Sequence, residues 1–298
     1  MVKNPQPVLA DARHAQLGEG PIWDAKSERL IWIDIIGGNI HFADDVGRWL
    51  ETVHLDTHIG TAIPGSSGEL LLATASGFFV LESDHSISTV NHALAEIPDL
   101  RFNDGKADPL GRAVVGTLSY SGRSHTASLM RLENEASLVP VLENVTLSNG
   151  LAWSEDGRTL YFVDTPTGRV DAFDYDLVCG TVSNRRIFVT VPAAWGLPDG
   201  ICSDHDGGIW VALWGGAAVV RFTAEGELDA RINFTVPNIT SCAFGGPRGD
   251  TLFVTSASVD MGADHLSRHD EAGGLFLVDT GFTGPAATPW IRTASMRS

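Results

Sequence analysis

Short apolar runs, each set off by a polar turn, recur along the whole chain. Residues 29–35 ("RLIWIDI"), 69–75 ("ELLLATA"), 112–118 ("RAVVGTL"), 159–165 ("TLYFVDT"), 208–214 ("GIWVALW") and 251–257 ("TLFVTSA") are rich in β-branched and aromatic residues and read as strands. The turns before them are "DAKSE", "GSSG", "DPLG", "SEDG", "DHDG" and "GPRGD". Another short apolar segment lies before each turn, and a further hairpin and strand follow, as in 168–176 and 217–226. No stretch with a helical period is long enough to compete.

Aligned on their turns, the six units begin at Glu19, Gly60, Asn103, Asn149, Asp199 and Thr240, a repeat of forty to fifty residues. Four strands per unit at that period predict an all-β fold: a six-bladed β-propeller, with four-stranded antiparallel blades around a central channel. A sandwich does not repeat one turn chemistry six times. The last unit is interrupted by residues 258–273, and residues 6–14 ("QPVLADARH") are expected to supply its outer strand and close the ring. One domain spanning residues 1–298 is expected.

The innermost strand of each blade lines the channel, so residues at one repeat phase converge on the axis. Here that phase holds Glu, Gly, Asn, Asn, Asp and Thr. A lone "NG" or "DG" is ordinary turn chemistry. "NDG", "SNG" and "PDG" at one phase, with Glu19 at a fourth, instead read as an oxygen-donor cage. Two anions in a partly dry funnel repel each other, and a divalent cation removes that penalty. All-oxygen ligands suit calcium, magnesium or manganese, and zinc also binds carboxylates.

Charge supports this picture and narrows the partners. Lys and Arg number 20 against 37 Asp and Glu, a formal charge of −17. So acidic a surface repels phosphate backbones and anionic lipid, so nucleic acid and membrane partners are not expected. No apolar run reaches membrane-spanning length, and the first fifteen residues lack a signal-like apolar stretch. The three cysteines, Cys179, Cys202 and Cys242, have no metal-type spacing and fit idle thiols in a reducing compartment. A cytoplasmic monomer is the expectation.

The phrases "LGEGPIWDAKSERLIWID", "RFNDGKADPLGR", "LSNGLAWSEDGRTLYFVDT", "LPDGICSDHDGGIWVALWGG" and "NITSCAFGGPRGDTLFVTSA" resemble the gluconolactonase, regucalcin (senescence marker protein) and luciferin-regenerating enzyme family over nearly the whole chain. The resemblance implies a six-bladed propeller with one divalent cation, calcium foremost, with zinc, manganese, magnesium or ferrous iron as alternatives. It implies Glu19, Asn149 and Asp199 as metal ligands, and Asn103 beside the metal, as a further ligand or through a water, in contact with substrate. It implies Arg101 on a substrate oxygen, and hydrolysis of a sugar-acid lactone such as glucono-, xylono-, arabinono- or galactonolactone. In that chemistry Asp199 takes a proton from the attacking water as general base. The regucalcin branch carries a substrate-binding glutamate where this chain has Ser119, Tyr120 and Ser121, so a different pocket with hydroxyl donors is expected.

Two other functions fit the same architecture: phosphotriester hydrolysis at a calcium site, and a calcium-binding regulatory propeller without turnover. Arg101 and the polar 119–121 stretch weigh against the first, and Arg101 with Asp199 against the second. Trp214 reads equally as a sugar-stacking or a packing residue. His41, His54, His58, His125, His205, His265 and His269 read as solvated loop residues, and Asp34 and Asp164 as turn and strand-edge acids. Residues 264–274 read as a lid over the channel mouth or as an ordinary loop.

Overall fold

The computed structural model describes residues 5–134 and 137–292. Its strands form six four-stranded antiparallel sheets, and its one α-helix is the short Ala263–Leu266 among the described residues. The innermost strands are Gly18–Asp24, Ile59–Pro64, Leu100–Ala107, Ser148–Trp153, Leu197–Ser203 and Ile239–Gly245, for blades 1 to 6. Each packs against the innermost strands on either side, so the six form a closed ring, a six-bladed propeller. In blades 1 to 5 the chain runs outward strand by strand. Blade 6 takes its outermost strand, Val8–Asp11, from the N-terminal end of the chain.

The runs read as strands from sequence are the second strands of the blades, Arg29–Asp34 to Thr251–Ser256. They are buried along almost their whole length because neighbouring blades cover both faces, which explains apolar runs rather than strict alternation. The core is accordingly a set of apolar clusters between blades, each drawing on two or more sheets.

All six innermost strands break register at the same phase: between Glu19 and Ile22, Ile59 and Thr61, Phe102 and Gly105, Ser148 and Leu151, Pro198 and Ile201, and Ile239 and Ser241. These irregularities free the residues between them from the ladder and bend the strand. "SNG" and "PDG" are thus strand bulges at the axis, not turns. Their glycines answer to packing between blades. A Cβ on Gly150 would stand 2.5 Å from the Ile201 nitrogen and 2.6 Å from the Asp199 carbonyl oxygen, and one on Gly200 would collide with Ser241.

Two segments lie outside the strands of the blades. Residues 258–273 leave blade 6 on the mouth side and are tied to its rim, with Ser258 and Val259 amides donating to Ala15 and Gln16 carbonyls and His269 bonded to the Thr235 carbonyl. On the opposite face, residues 283–291 run as a strap across the sheets. Gly284 N donates to Gly249 O (2.9 Å), Trp290 N to Pro64 O (2.7 Å) and Ile291 N to Gly111 O (2.8 Å). Trp290, 2% exposed, anchors the strap in the cluster of Phe78 and Phe102. The sequence pattern did not disclose this strap.

Asp34 and Asp164 end their strands by accepting backbone N–H groups, Gln16, Leu17 and Gly37 for the first, Thr146 and Leu147 for the second. Trp214 closes a strand opposite Leu197. The histidines depart from the loop expectation in three places: His265 lies in the short helix Ala263–Leu266, and two others are in strands. His54 ends a strand, and His41 is buried within Asn39–Ala43, packed on Trp32 at 4.4 Å and bonded to Thr52 Oγ1. Burial, helped by Arg13, lowers the His41 pKa from 6.5 to about 4.

Two outcomes follow from this packing. Gly150→Ala forces the inner strands of blades 4 and 5 apart, and its urea midpoint should correspond to a loss of about 1–3 kcal/mol. For His41, the unfolded chain takes up its proton near pH 6.5 while the folded chain does so only near 4. Stability therefore falls as pH drops across that window and is flat with respect to this group above it. Urea unfolding at pH 7.5 and 4.5 should show a larger loss for the wild type than for His41→Gln, by on the order of 2 kcal/mol.

Candidate active site

Asn103, Asn149 and Asp199 lie within these breaks and Glu19, still paired with Ile33, borders its own, and all four are at most 6% exposed. The side chains expected at the channel are therefore brought to the axis together. Gly60 contributes no side chain, and Thr240 is used structurally, bonded to the Gly18 carbonyl and Thr255.

A directional hydrogen-bond relay orients the amides. Arg101 Nη1 can only donate, and it donates to Asn103 Oδ1 at 2.7 Å and to the Phe102 carbonyl at 2.9 Å. That fixes Asn103 Nδ2 toward Asn149 Oδ1 (2.7 Å) and the Ser148 carbonyl (2.7 Å). Asn149 Nδ2 in turn donates to Thr165 Oγ1 (2.7 Å), whose hydroxyl donates to the Pro198 carbonyl (2.9 Å), one residue before Asp199. Blades 3, 4 and 5 are thus joined across the channel.

The acids meet from the remaining sides. Glu19 Oε2 accepts from Gly20 N at 2.9 Å, whereas buried Asp199 Oδ1 has no hydrogen-bond partner. A third carboxylate, Asp104, joins them. Burial pushes Asp104 up to about 6, against the pull of the Lys106 and Arg101 charges. Burial, then the charges of Asp104 and Asp199, pushes Glu19 well above the usual carboxylate range, and burial with Asp104 does the same to Asp199. Asp104 was not singled out from sequence because regular alternation points it away from the residue before it. The register break between Phe102 and Gly105 puts both side chains within reach of the axis, and the paired "ND" before glycine was its only signal. Lys106 lies farther along the strand and spans the channel to the Ile201 carbonyl at 2.7 Å.

This donor set fits a hard divalent cation. It offers carboxylate and carboxamide oxygens, clustered like charges and an orphaned buried oxygen, the features a cation relieves. Among the described residues no three His, Cys, Asp or Glu side chains form a metal cluster by themselves, so a complete site requires the carboxamide oxygen of Asn149.

The mouth differs from the expectation of free hydroxyls at 119–121. Ser119 Oγ donates to Asp99 Oδ2 at 2.6 Å and Ser121 Oγ to the same oxygen at 3.0 Å, with Arg123 completing the set. Those bonds hold the Asp99 carboxyl well below the usual range. Tyr120 is left half exposed, its hydroxyl 2.7 Å from His58 Nδ1 and its ring 6.0 Å from the Arg101 guanidinium carbon. Burial and Arg101 lower the His58 pKa, so this histidine, expected to be a solvated loop residue, is part of the site's rim.

Residues 17–258 match the family described as SMP-30/Gluconolactonase/LRE-like region. The chain belongs to this family. Within the gluconolactonase-like relatives it is 36% identical over 281 residues to regucalcin of Xenopus laevis, covering 92% of this chain and 94% of that one. It is 36% identical over 270 residues to "Putative sugar lactone lactonase YvrE" of Bacillus subtilis, covering 90% and 92%. A solved calcium-binding protein, regucalcin, from Agrobacterium tumefaciens superposes with a TM-score of 0.90 at 26% identity, covering 98% of both chains. As for membranes, no helix among the described residues is long and apolar enough to cross one.

The relay predicts a cost independent of any ligand. Thr165→Val keeps the shape but leaves Asn149 Nδ2 without its buried acceptor, and unfolding measurements should show a loss of about 1–3 kcal/mol.

Proposed function

We propose that the protein is a divalent-cation-dependent lactonase that opens a sugar-acid lactone to its aldonic acid, acting in the cytoplasm as a monomer. The observation that carries this reading is the orphaned, buried Asp199 Oδ1 beside Glu19 and Asn149, at the floor of a mouth that also holds Arg101. Glu19, Asn149 and Asp199 are the residues that would hold the cation, calcium being the best match to their all-oxygen chemistry. When bound, such a cation supplies positive charge that offsets the clustered carboxylates and polarises a carbonyl.

The chain's own groups do the rest. Asp199, which would meet the cation through one carboxylate oxygen, accepts with its other oxygen a proton from the water that attacks the lactone carbonyl carbon. The tetrahedral intermediate collapses by breaking the ring C–O bond, and the proton passes to the departing ring oxygen, giving the hydroxy acid. Arg101 binds a substrate oxygen through its planar fork while its Nη1 keeps Asn103 in orientation. Asn103, with Oδ1 on Arg101 and Nδ2 on Asn149, acts as the link between substrate and cation site rather than as a primary ligand. Tyr120 and His58 would face the sugar hydroxyls in place of Ser119 and Ser121.

Chelator-stripped protein should regain hydrolysis of five- and six-membered aldonolactones, above the spontaneous rate, when calcium, magnesium, manganese, zinc or ferrous iron is restored singly. Asp199→Asn should reduce that rate by about 10²-fold or more without lowering the thermal midpoint. Unaccelerated hydrolysis across the panel with cation bound would contradict the lactonase and leave phosphotriester turnover or a regulatory calcium protein.

A further inference from the structure

The three cysteines separate into one exposed thiol, Cys179, and two buried ones, Cys202 and Cys242. The buried pair lies 40 residues apart in sequence on the innermost strands of blades 5 and 6, yet the Sγ atoms are 3.7 Å apart. Their surroundings are unequal. Cys202 lines a cavity of about 200 Å³ in the lower channel, whose walls include Trp23, Trp153, Phe244 and the strap residues 285–288. Cys242 is 1% exposed and does not line it. Neither thiol takes part in the chemistry proposed for Asp199.

We propose that Cys202 and Cys242 form a redox-modification site, in which hydrogen peroxide reaching the lower cavity oxidises Cys202 and Cys242 resolves it to a disulfide joining blades 5 and 6. In the first step the Cys202 sulfur attacks one peroxide oxygen, the O–O bond breaks, and sulfenic acid and one water result. In the second, the Cys242 sulfur attacks the sulfenic sulfur, the S–O bond breaks, and the Cys242 proton leaves with the hydroxyl as a second water. The two thiols together lose two electrons and the peroxide gains them.

The geometry suits this order of events. Cys202 meets the cavity and Cys242 does not, so the first oxidation falls on Cys202 alone. A disulfide requires the sulfurs to close to about 2.05 Å, and the two strands already pack together. Lys106 donates to the carbonyl of Ile201, next to Cys202, and places a positive charge beside the pair. The neighbouring thiol and burial push Cys242 well above its ordinary range, which keeps its thiolate fraction low, so the resolving attack is the slower step and the Cys242 proton is released as the S–S bond forms. Burial makes the reaction slow beside that of a dedicated, exposed redox thiol.

The test uses folded Cys179→Ser protein exposed to hydrogen peroxide, then denatured and alkylated for mass spectrometry. The expected result is loss of both alkylation sites and of two hydrogens in mass, reversed by dithiothreitol, with one cross-linked peptide pair joining Cys202 to Cys242. With Cys242→Ser added, Cys202 should instead be trapped by dimedone as sulfenic acid. Two results would overturn the proposal: full alkylation of both thiols after an exposure that oxidises Cys179 in the unsubstituted chain, or oxidation of Cys202 without a cross-link. Thiol counting needs no turnover, so either result is independent of the lactonase reading.

Discussion

The convergence of three buried carboxylates, Glu19, Asp104 and Asp199, at the propeller axis is the constraint around which the rest of the structure is arranged. Left alone, like charges in a dry site are costly, and burial here resists their ionisation. The fold tolerates them because six inner strands approach closely enough to hold them in place. That approach depends on positions such as Gly150 and Gly200, where any side chain would strike the next blade. The same close packing that gives the ring its rigidity therefore gives the site its electrostatic strain.

Orientation comes from a separate device. Carboxamides can present either oxygen or nitrogen, and a ligand role requires the oxygen. Arg101, a pure donor, removes that freedom at Asn103, and the consequence passes through Asn149 and Thr165 to the strand carrying Asp199. One guanidinium thus orients two amides and spans three blades. The counter-charges are distributed along the axis as well, Arg101 toward the mouth and Lys106 toward the strap, so that Asp104 feels both.

The propeller was legible in the chain because each blade repeats one turn and one apolar strand, and the strand limits agree with the structure to within a residue or two. The convergence of Glu19, Asn103, Asn149 and Asp199 was legible too, since a closed ring turns equal phase into proximity. What sequence did not disclose depends on local departures from regularity. Asp104 joins the site through a break in register, and Ser119 and Ser121 are consumed by Asp99, twenty or so residues away. His41 is in a strand although its polarity suggested a loop. The strap at 283–291 has no repeat and no periodicity, and its role rests on backbone bonds to three separate blades.

The central claim is that the axial oxygens of Glu19, Asn149 and Asp199 hold one divalent cation. Crystals grown in calcium and measured at a wavelength that gives calcium an anomalous signal test it most directly. The account predicts a single strong peak on the axis with those three side-chain oxygens at about 2.3–2.6 Å. A peak away from these residues, or none at saturating calcium, would contradict it.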